Sequence, residues 1–281
     1  MKLKLNITCA ALAAVAICSP VSVYAQAPAR AGRGATGGSG RGARAPGIPT
    51  KPLDLNDHEG WQSMFDGVSL KGWDGPDVWM VENGEIVVAS TAAHPNGSVY
   101  LIWKGGEPKN FEFKTDIRLE GAGANSGIQF RAMLLGPLAE KKNSQWESRG
   151  YQADYTYNNG SMGNLIECCR GPNRGVPPRP DAAHRGQMVR AGLTVADAAT
   201  IVGTVGDPDA LKSFAPEGEW NQIHIMAQSD TLMYLVNGHL MSVYFEQNHT
   251  LAADHGLLAL QLEGGGDIKA HFRNLWLKTL P

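Results

Sequence analysis

Every second residue between positions 111 and 119 is charged: Glu112, Lys114, Asp116 and Arg118 alternate with Phe111, Phe113, Thr115, Ile117 and Leu119. A helix would scatter these charges around its circumference, whereas an extended chain sends them all to one side. The segment therefore reads as a β-strand with one buried face. Strand patterns recur over 86–88, 127–131, 151–157, 221–226, 231–236, 256–262 and 271–278. Glu82-Asn83-Gly84, Asn237-Gly238 and Gly264-Gly265-Gly266 fall between them, and Asn and Gly tolerate the positive φ that tight turns need. With 34 Gly and 16 Pro in 281 residues, the chain suits many short strands better than long helices. These features predict an all-β fold, a jelly-roll β-sandwich. Only 192–213 reads as a helical or irregular insertion, a loop excursion with Pro208-Asp209-Ala210-Leu211 as a short helical turn.

The N-terminus has the grammar of an export signal. Lys2 and Lys4 precede the apolar run 10–17, and Val23-Tyr24-Ala25 supplies small residues for cleavage after Ala25. Residues 1–25 are thus expected to be a signal peptide, 26–56 an Ala/Gly/Pro/Arg-rich linker too poor in large apolar residues to fold, and 57–281 one domain. The expected location is periplasmic or secreted, and no later segment is long and apolar enough to span a membrane. The first acidic residue is Asp54, so from there on 18 basic residues face 27 acidic ones. A body this acidic argues against nucleic acid as a partner. Cys9 and Cys18 fall within the signal, which leaves the adjacent Cys168 and Cys169 as free or locally oxidised thiols. No metal-ligand spacing stands out: a bound Ca²⁺ suits the fold, but no loop has EF-hand-like acids. Metal dependence and oligomeric state stay open.

Period-two logic assigns faces. Gln129 and Arg131 lie opposite Ile128 and Phe130, Gln152 and Asp154 opposite Tyr151, Ala153 and Tyr155, and Gln261 and Glu263 opposite Leu260 and Leu262. Three strands thus each carry a polar pair with at least one charge. On one sheet these pairs would form a polar concave surface suited to a sugar.

Several segments, in order, resemble the 3-keto-disaccharide hydrolase family. They are the opening run 60–73 (GWQSMFDGVSLKGW), Trp79-Met80-Val81-Glu82-Asn83-Gly84, Phe111-Glu112-Phe113, Asn125-Ser126-Gly127-Ile128-Gln129-Phe130-Arg131, Gly150-Tyr151-Gln152-Ala153-Asp154, Gly218-Glu219-Trp220-Asn221 and the closing run 272–278 (FRNLWLK). The resemblance implies a concanavalin A-like lectin/glucanase fold and a glycoside already oxidised to a ketone at sugar carbon 3. Such a ketone acidifies the C2 hydrogen, so a base, a group that stabilises the enolate oxygen and an acid for the leaving group suffice for elimination, after which water adds. Asp154 and Glu167 are the base candidates, Glu167 lying in a run similar to the family's continuation of the Gln152 strand. Arg131 is the candidate enolate clamp and Glu263 the candidate acid. Gln129, Gln152, Gln261, Asn125, Arg170 and Trp146 are candidate substrate contacts. The sequence departs from the family at Glu263, where His is common, and at Gln152, where many members have Glu.

Each candidate has a plainer structural role beside the functional one. Arg131 can pair with Asp154 or Glu263 in a structural network, and Trp220 and Trp276, inside strand-like patterns, read as core anchors. Trp146 lies in a polar loop where it can stack on a sugar. His94 and His184, and the Arg- and Pro-rich loop 170–190, are further loop candidates. An enzyme would gather carboxylates and Arg131 in a pocket, whereas a non-catalytic lectin-like domain would present an open aromatic platform. The faces above, rich in ionisable groups and poor in Trp, favour the enzyme.

Overall fold

The computed structural model describes residues 54–136, 143–168, 182–248 and 250–281. The signal, most of the linker, Arg170 and most of the loop 170–190 lie outside the described residues. In chain order the strands are β1 (Gln62–Ser63), β2 (Trp73–Asp74), β3 (Trp79–Glu82), β4 (Glu85–Ser90), β5 (Val99–Trp103) and β6 (Phe111–Glu120). Then come β7 (Ala124–Leu134), β8 (Ser148–Thr156), β9 (Leu165–Cys168), β10 (Gln187–Arg190) and β11 (Thr200–Thr204). A five-residue helix α1 (Pro208–Lys212) leads to β12 (Asn221–Gln228), β13 (Thr231–Val236), β14 (His239–Phe245), β15 (Leu257–Gly264) and β16 (Ile268–Thr279). A 3-10 turn spans Ser144–Trp146.

Two sheets form. The larger has the order β11-β10-β14-β13-β12-β6-β16-β4-β3, with β1 added to β16, and the smaller is β2-β5-β15-β7-β8-β9. Of the described pairings, β10 with β14 is parallel and the others are antiparallel. The alternation in β6 does what its charges require: Phe111, Phe113 and Ile117 are fully buried against the other sheet. They share one core cluster with Ile128, Phe130, Leu260 and Leu262, and Phe111 meets Phe130 edge to face at 6.1 Å. This is a β-sandwich of the jelly-roll kind, its core made by the inward residues of both sheets.

Two expectations need correction. The stretch 192–213 is not wholly an excursion, because β11 lies inside it and pairs with β10. An exposed edge strand with no buried face writes no alternation into its sequence. Trp220 and Trp276 are not core anchors. Both are half-buried on the outer face of the larger sheet. Trp220 lies under the guanidinium groups of Arg273 and Arg118, at 4.0 and 5.2 Å, and Trp276 stacks on His58 at 4.0 Å. A register shift between Arg273 and Trp276, with Asn274 at φ 54°, turns Trp276 outward beside Lys114 while Leu275 and Leu277 point in.

One contact crosses the core to the smaller sheet. The hydroxyl of Tyr234, buried on β13, donates to the Asp154 carbonyl on β8 at 3.1 Å. It fixes the strand that carries the polar pair. Replacing Tyr234 with Phe should lower stability by about 1 kcal/mol, the usual net worth of a buried neutral hydrogen bond. Urea denaturation of both proteins, with an unchanged slope, measures this.

Candidate active site

The three predicted polar pairs fall on adjacent strands of the smaller sheet. In register, Gln129 faces Gln152 and Gly127 faces both Asp154 and Gln261. The side chains form a directed chain of hydrogen bonds. Ser148 Oγ donates to Gln129 Oε1 at 2.5 Å, and Gln129 Nε2 donates to Gln152 Oε1 at 3.2 Å. Gln152 Nε2 then donates to Asp154 Oδ1 and to Gln261 Oε1, both at 3.0 Å. Gln261 Nε2 in turn donates to Glu263 Oε2 at 3.1 Å and to the Tyr100 hydroxyl at 3.2 Å. Each amide accepts on one side and donates toward a carboxylate.

Gly127 makes this geometry possible. A Cβ there would sit 2.7 Å from Gln152 Nε2 and 2.8 Å from its Cδ. Only a residue without a side chain lets Gln152 reach across β7 from β8 to β15. The central three amides are buried, as is Asp154, whereas Glu263 is exposed at the rim. Burial pushes the Asp154 carboxyl above its ordinary value. The hydrogen bonds from Ser161 and Gln152 oppose this, and the charge of Glu263 reinforces it. Asn125 lies opposite Glu263, and its Oδ1 is buried with no hydrogen-bond partner among the described residues.

Other candidates lie elsewhere. Arg131 sits in a bulge at φ 46°, which breaks the period-two parity with Gln129. Its guanidinium donates to the backbone carbonyls of Lys109, at 2.7 and 3.1 Å, Ser229 at 2.8 Å and Ala253 at 3.3 Å. It ties three loops together rather than pairing with Asp154 or Glu263. Glu167 pairs in register with Tyr151, so it faces away from Gln152 and Asp154. Glu167 instead lines a cleft of about 1100 Å³ at the other end of the sheet, together with Arg131 and Trp146. Among the described residues, no three His, Cys, Asp or Glu side chains cluster so as to hold a metal ion. Cys168 is disulfide-bonded, and its bonded partner lies outside the described residues.

Tyr100 and Ser98 are the residues that sequence reasoning missed. Ser98 Oγ donates to the Tyr100 hydroxyl at 3.2 Å and lies 3.3 Å from Gln261 Nε2. They belong to β5 and the residue before it. The run Val-Tyr-Leu-Ile-Trp is apolar throughout, so only the Tyr hydroxyl signalled a polar face.

The profile of the 3-keto-alpha-glucoside-1,2-lyase-like domain matches residues 60–278, most of the chain. The chain belongs to that family. Members of the solved structures resemble it at low identity. A provisionally named glycosyl hydrolase from Parabacteroides distasonis is 18% identical, with 79% of this chain and 95% of that one covered and a TM-score of 0.47. A carbohydrate-binding module from Bacillus subtilis is 14% identical over 74% of this chain and 96% of its own, at a TM-score of 0.45. A galectin-like-fold protein of unknown function from Bacillus subtilis is 11% identical over 75% and 90%, at 0.48. No curated protein matches the sequence.

Two predictions follow from this geometry. Gly127→Ala should displace the buried Gln152 amide from Gln261 and cost at least about 2 kcal/mol, from overpacking and from the buried hydrogen bonds it breaks. A lowered melting temperature together with a lost or displaced Gln152 side-chain amide resonance pair in NMR is the expected outcome. For Asp154 the folded-state pKa is raised, so wild-type stability falls as pH rises from the unfolded value of about 3.9 through the folded one. Asp154→Asn removes that loss. Its melting temperature should exceed that of wild type at neutral pH, and the margin should shrink on acidification toward the unfolded pKa.

Proposed function

We propose that this family member is an exported enzyme that cleaves glycosides oxidised at carbon 3, with Asp154 as the base. The observation that carries the reading is a buried carboxyl, raised by burial, at the end of an amide chain whose other branch ends in an exposed carboxylate. A desolvated carboxylate is a stronger base than one in water, which suits removal of the C2 proton. The C–H electron pair moves into an enolate on the C3 oxygen. As the ketone reforms, a C1–C2 double bond is made and the C1–O bond breaks. The departing oxygen takes a proton from Glu263, the rim acid. Water then adds its hydroxyl to C1, Asp154 returns its proton to C2 and the second water proton restores Glu263, so the net reaction is hydrolysis. The Tyr100 hydroxyl and the Asn125 amide supply the enolate oxygen with donors, a role that Arg131, engaged with backbone carbonyls, leaves to them.

A second reading is carbohydrate binding without cleavage. The observation that favours it is that Gln129, Gln152 and Gln261 spend their amides largely on one another. One experiment separates the two. The protein is incubated with a 3-keto-disaccharide and with its unoxidised parent, and sugar release is followed for wild type, Asp154→Asn and Glu263→Gln. Selective cleavage of the keto form, reduced about 10²- to 10⁴-fold in Asp154→Asn, is the expected result. Saturable binding with no release of either would leave the binding reading.

The pH profile is a further check. The base must be deprotonated, so kcat/KM should rise with pH, with its acid limb above the ordinary carboxylate value of 3.8. A limb at or below that value would take Asp154 out of the base role.

A further inference from the structure

The Tyr100 side chain is buried, and its hydroxyl gathers partners from across the smaller sheet. Gln261 Nε2 and Ser98 Oγ each donate to it at 3.2 Å, and Cys168 Sγ lies 3.9 Å away. A phenolic oxygen offers two lone pairs and one hydrogen. The two donors take the lone pairs, so it is the hydrogen that the oxygen turns toward Cys168. The sulfur sets the same direction. Cys168 is disulfide-bonded, so its sulfur carries no hydrogen and can only accept. Burial pushes the Tyr100 pKa up. The hydrogen bonds from Ser98 and Gln261 oppose this and the charges of Glu263 and Glu147 reinforce it, so the hydroxyl keeps its hydrogen at neutral pH.

The backbone puts Cys168 on the working side of the sheet. It pairs in register with Gly150, two residues along β8 from Gln152, and so stands on the face of the amide chain. The strands of the three glutamines, β15, β7 and β8, lie between Tyr100 on β5 and Cys168 on β9. The contact therefore spans the amide chain, and the hydrogen it holds lies on the face assigned to the oxidised sugar. Sulfur is a weak acceptor, whereas a hydrogen bond to an enolate oxygen is charge-assisted and roughly twice as strong as a neutral one. An enolate oxygen brought beside the hydroxyl takes the hydrogen with little to displace. A thiol would be a different neighbour: it is itself a donor, and no disulfide holds it in place.

We propose that Cys168 is a positioning residue, whose disulfide sulfur aims the Tyr100 hydrogen across the polar face, and that reduction of the disulfide takes this donor out of position. The inference rests on the reading in which Tyr100 serves the enolate oxygen, but the first half of its test needs no turnover. The full chain is labelled with carbon-13 at the tyrosine Cζ, and the Tyr100 resonance is identified by its absence in Tyr100→Phe. A water-soluble phosphine, which gives the disulfide two electrons while water supplies two protons, should shift that resonance in the wild-type protein and leave it unmoved in Cys168→Ser. An unshifted wild-type resonance overturns the proposal, whatever the chain cleaves. Turnover of a 3-keto-disaccharide is the second readout. The phosphine should lower the wild-type kcat about tenfold, part of the 10²–10³ that one oxyanion donor is worth, with KM little changed. Tyr100→Phe, already slow, should not respond. An equal loss in both proteins means that the disulfide acts on the fold alone, and overturns the proposal as well. Absence of cleavage by every protein counts against the reading of the site, and the NMR shift then decides the role of Cys168 by itself.

Discussion

The passage of the Gln152 side chain over Gly127 is the contact on which the candidate site depends. It joins three strands through one amide: Gln129 donates to it from β7, and it donates to Asp154 on its own strand and to Gln261 on β15. An amide has an acceptor at one side and donors at the other, so a chain of three in one sense has a direction. Here the donors run toward Asp154 and Glu263. Both carboxylates therefore accept from the chain, Asp154 through Oδ1 and Glu263 through Oε2. Below this layer, the Tyr234 hydroxyl holds the Asp154 backbone from the core side. The position of the carboxylate is fixed from both faces of its strand.

Much of this was legible from alternation alone. Phe111 to Leu119 showed a strand and its buried face, and parity put Gln152 with Asp154 and Gln261 with Glu263 on one face of their own strands; only the register shows that these faces and Gln129 share one surface. Parity failed wherever the backbone departed from two residues per repeat. Arg131 sits in a bulge with positive φ and leaves the face of Gln129, and a second irregularity at Asn274 turns Trp276 to the outside. A bulge is set by cross-strand pairing, which a single strand does not encode. Glu167 failed for a different reason: it lies just past Ile166, the residue that pairs with Gln152, so one residue of register decided its face. β5 was invisible because Val99–Trp103 is buried on both sides and shows no alternation. Tyr100 was lost with it.

The two sheets treat their polar groups in opposite ways, and the contrast bears on the role proposed for Asp154. On the outer face of the larger sheet, acids meet bases directly. His224 lies 2.8 Å from Glu112, His271 lies 2.8 Å from Glu85, and Arg273 lies 3.3 Å from Asp116. The hydrogen bond from His224 holds Glu112 below its ordinary range, and a carboxylate so stabilised is a poor base. On the polar face of the smaller sheet the neighbours of Asp154 are an amide, a hydroxyl and another carboxylate, with burial as the strongest influence on it. Neutral donors orient the group without quenching its charge. Had Gln152 or Gln261 been Lys or Arg, the same hydrogen bonds would have come with a cation that lowers the pKa and costs basicity. In the role proposed for Asp154, the amides would position it at the least expense to its strength as a base. The penalty is the burial of a carboxylate that prefers to be protonated, a destabilisation that proteins keep where a site requires it.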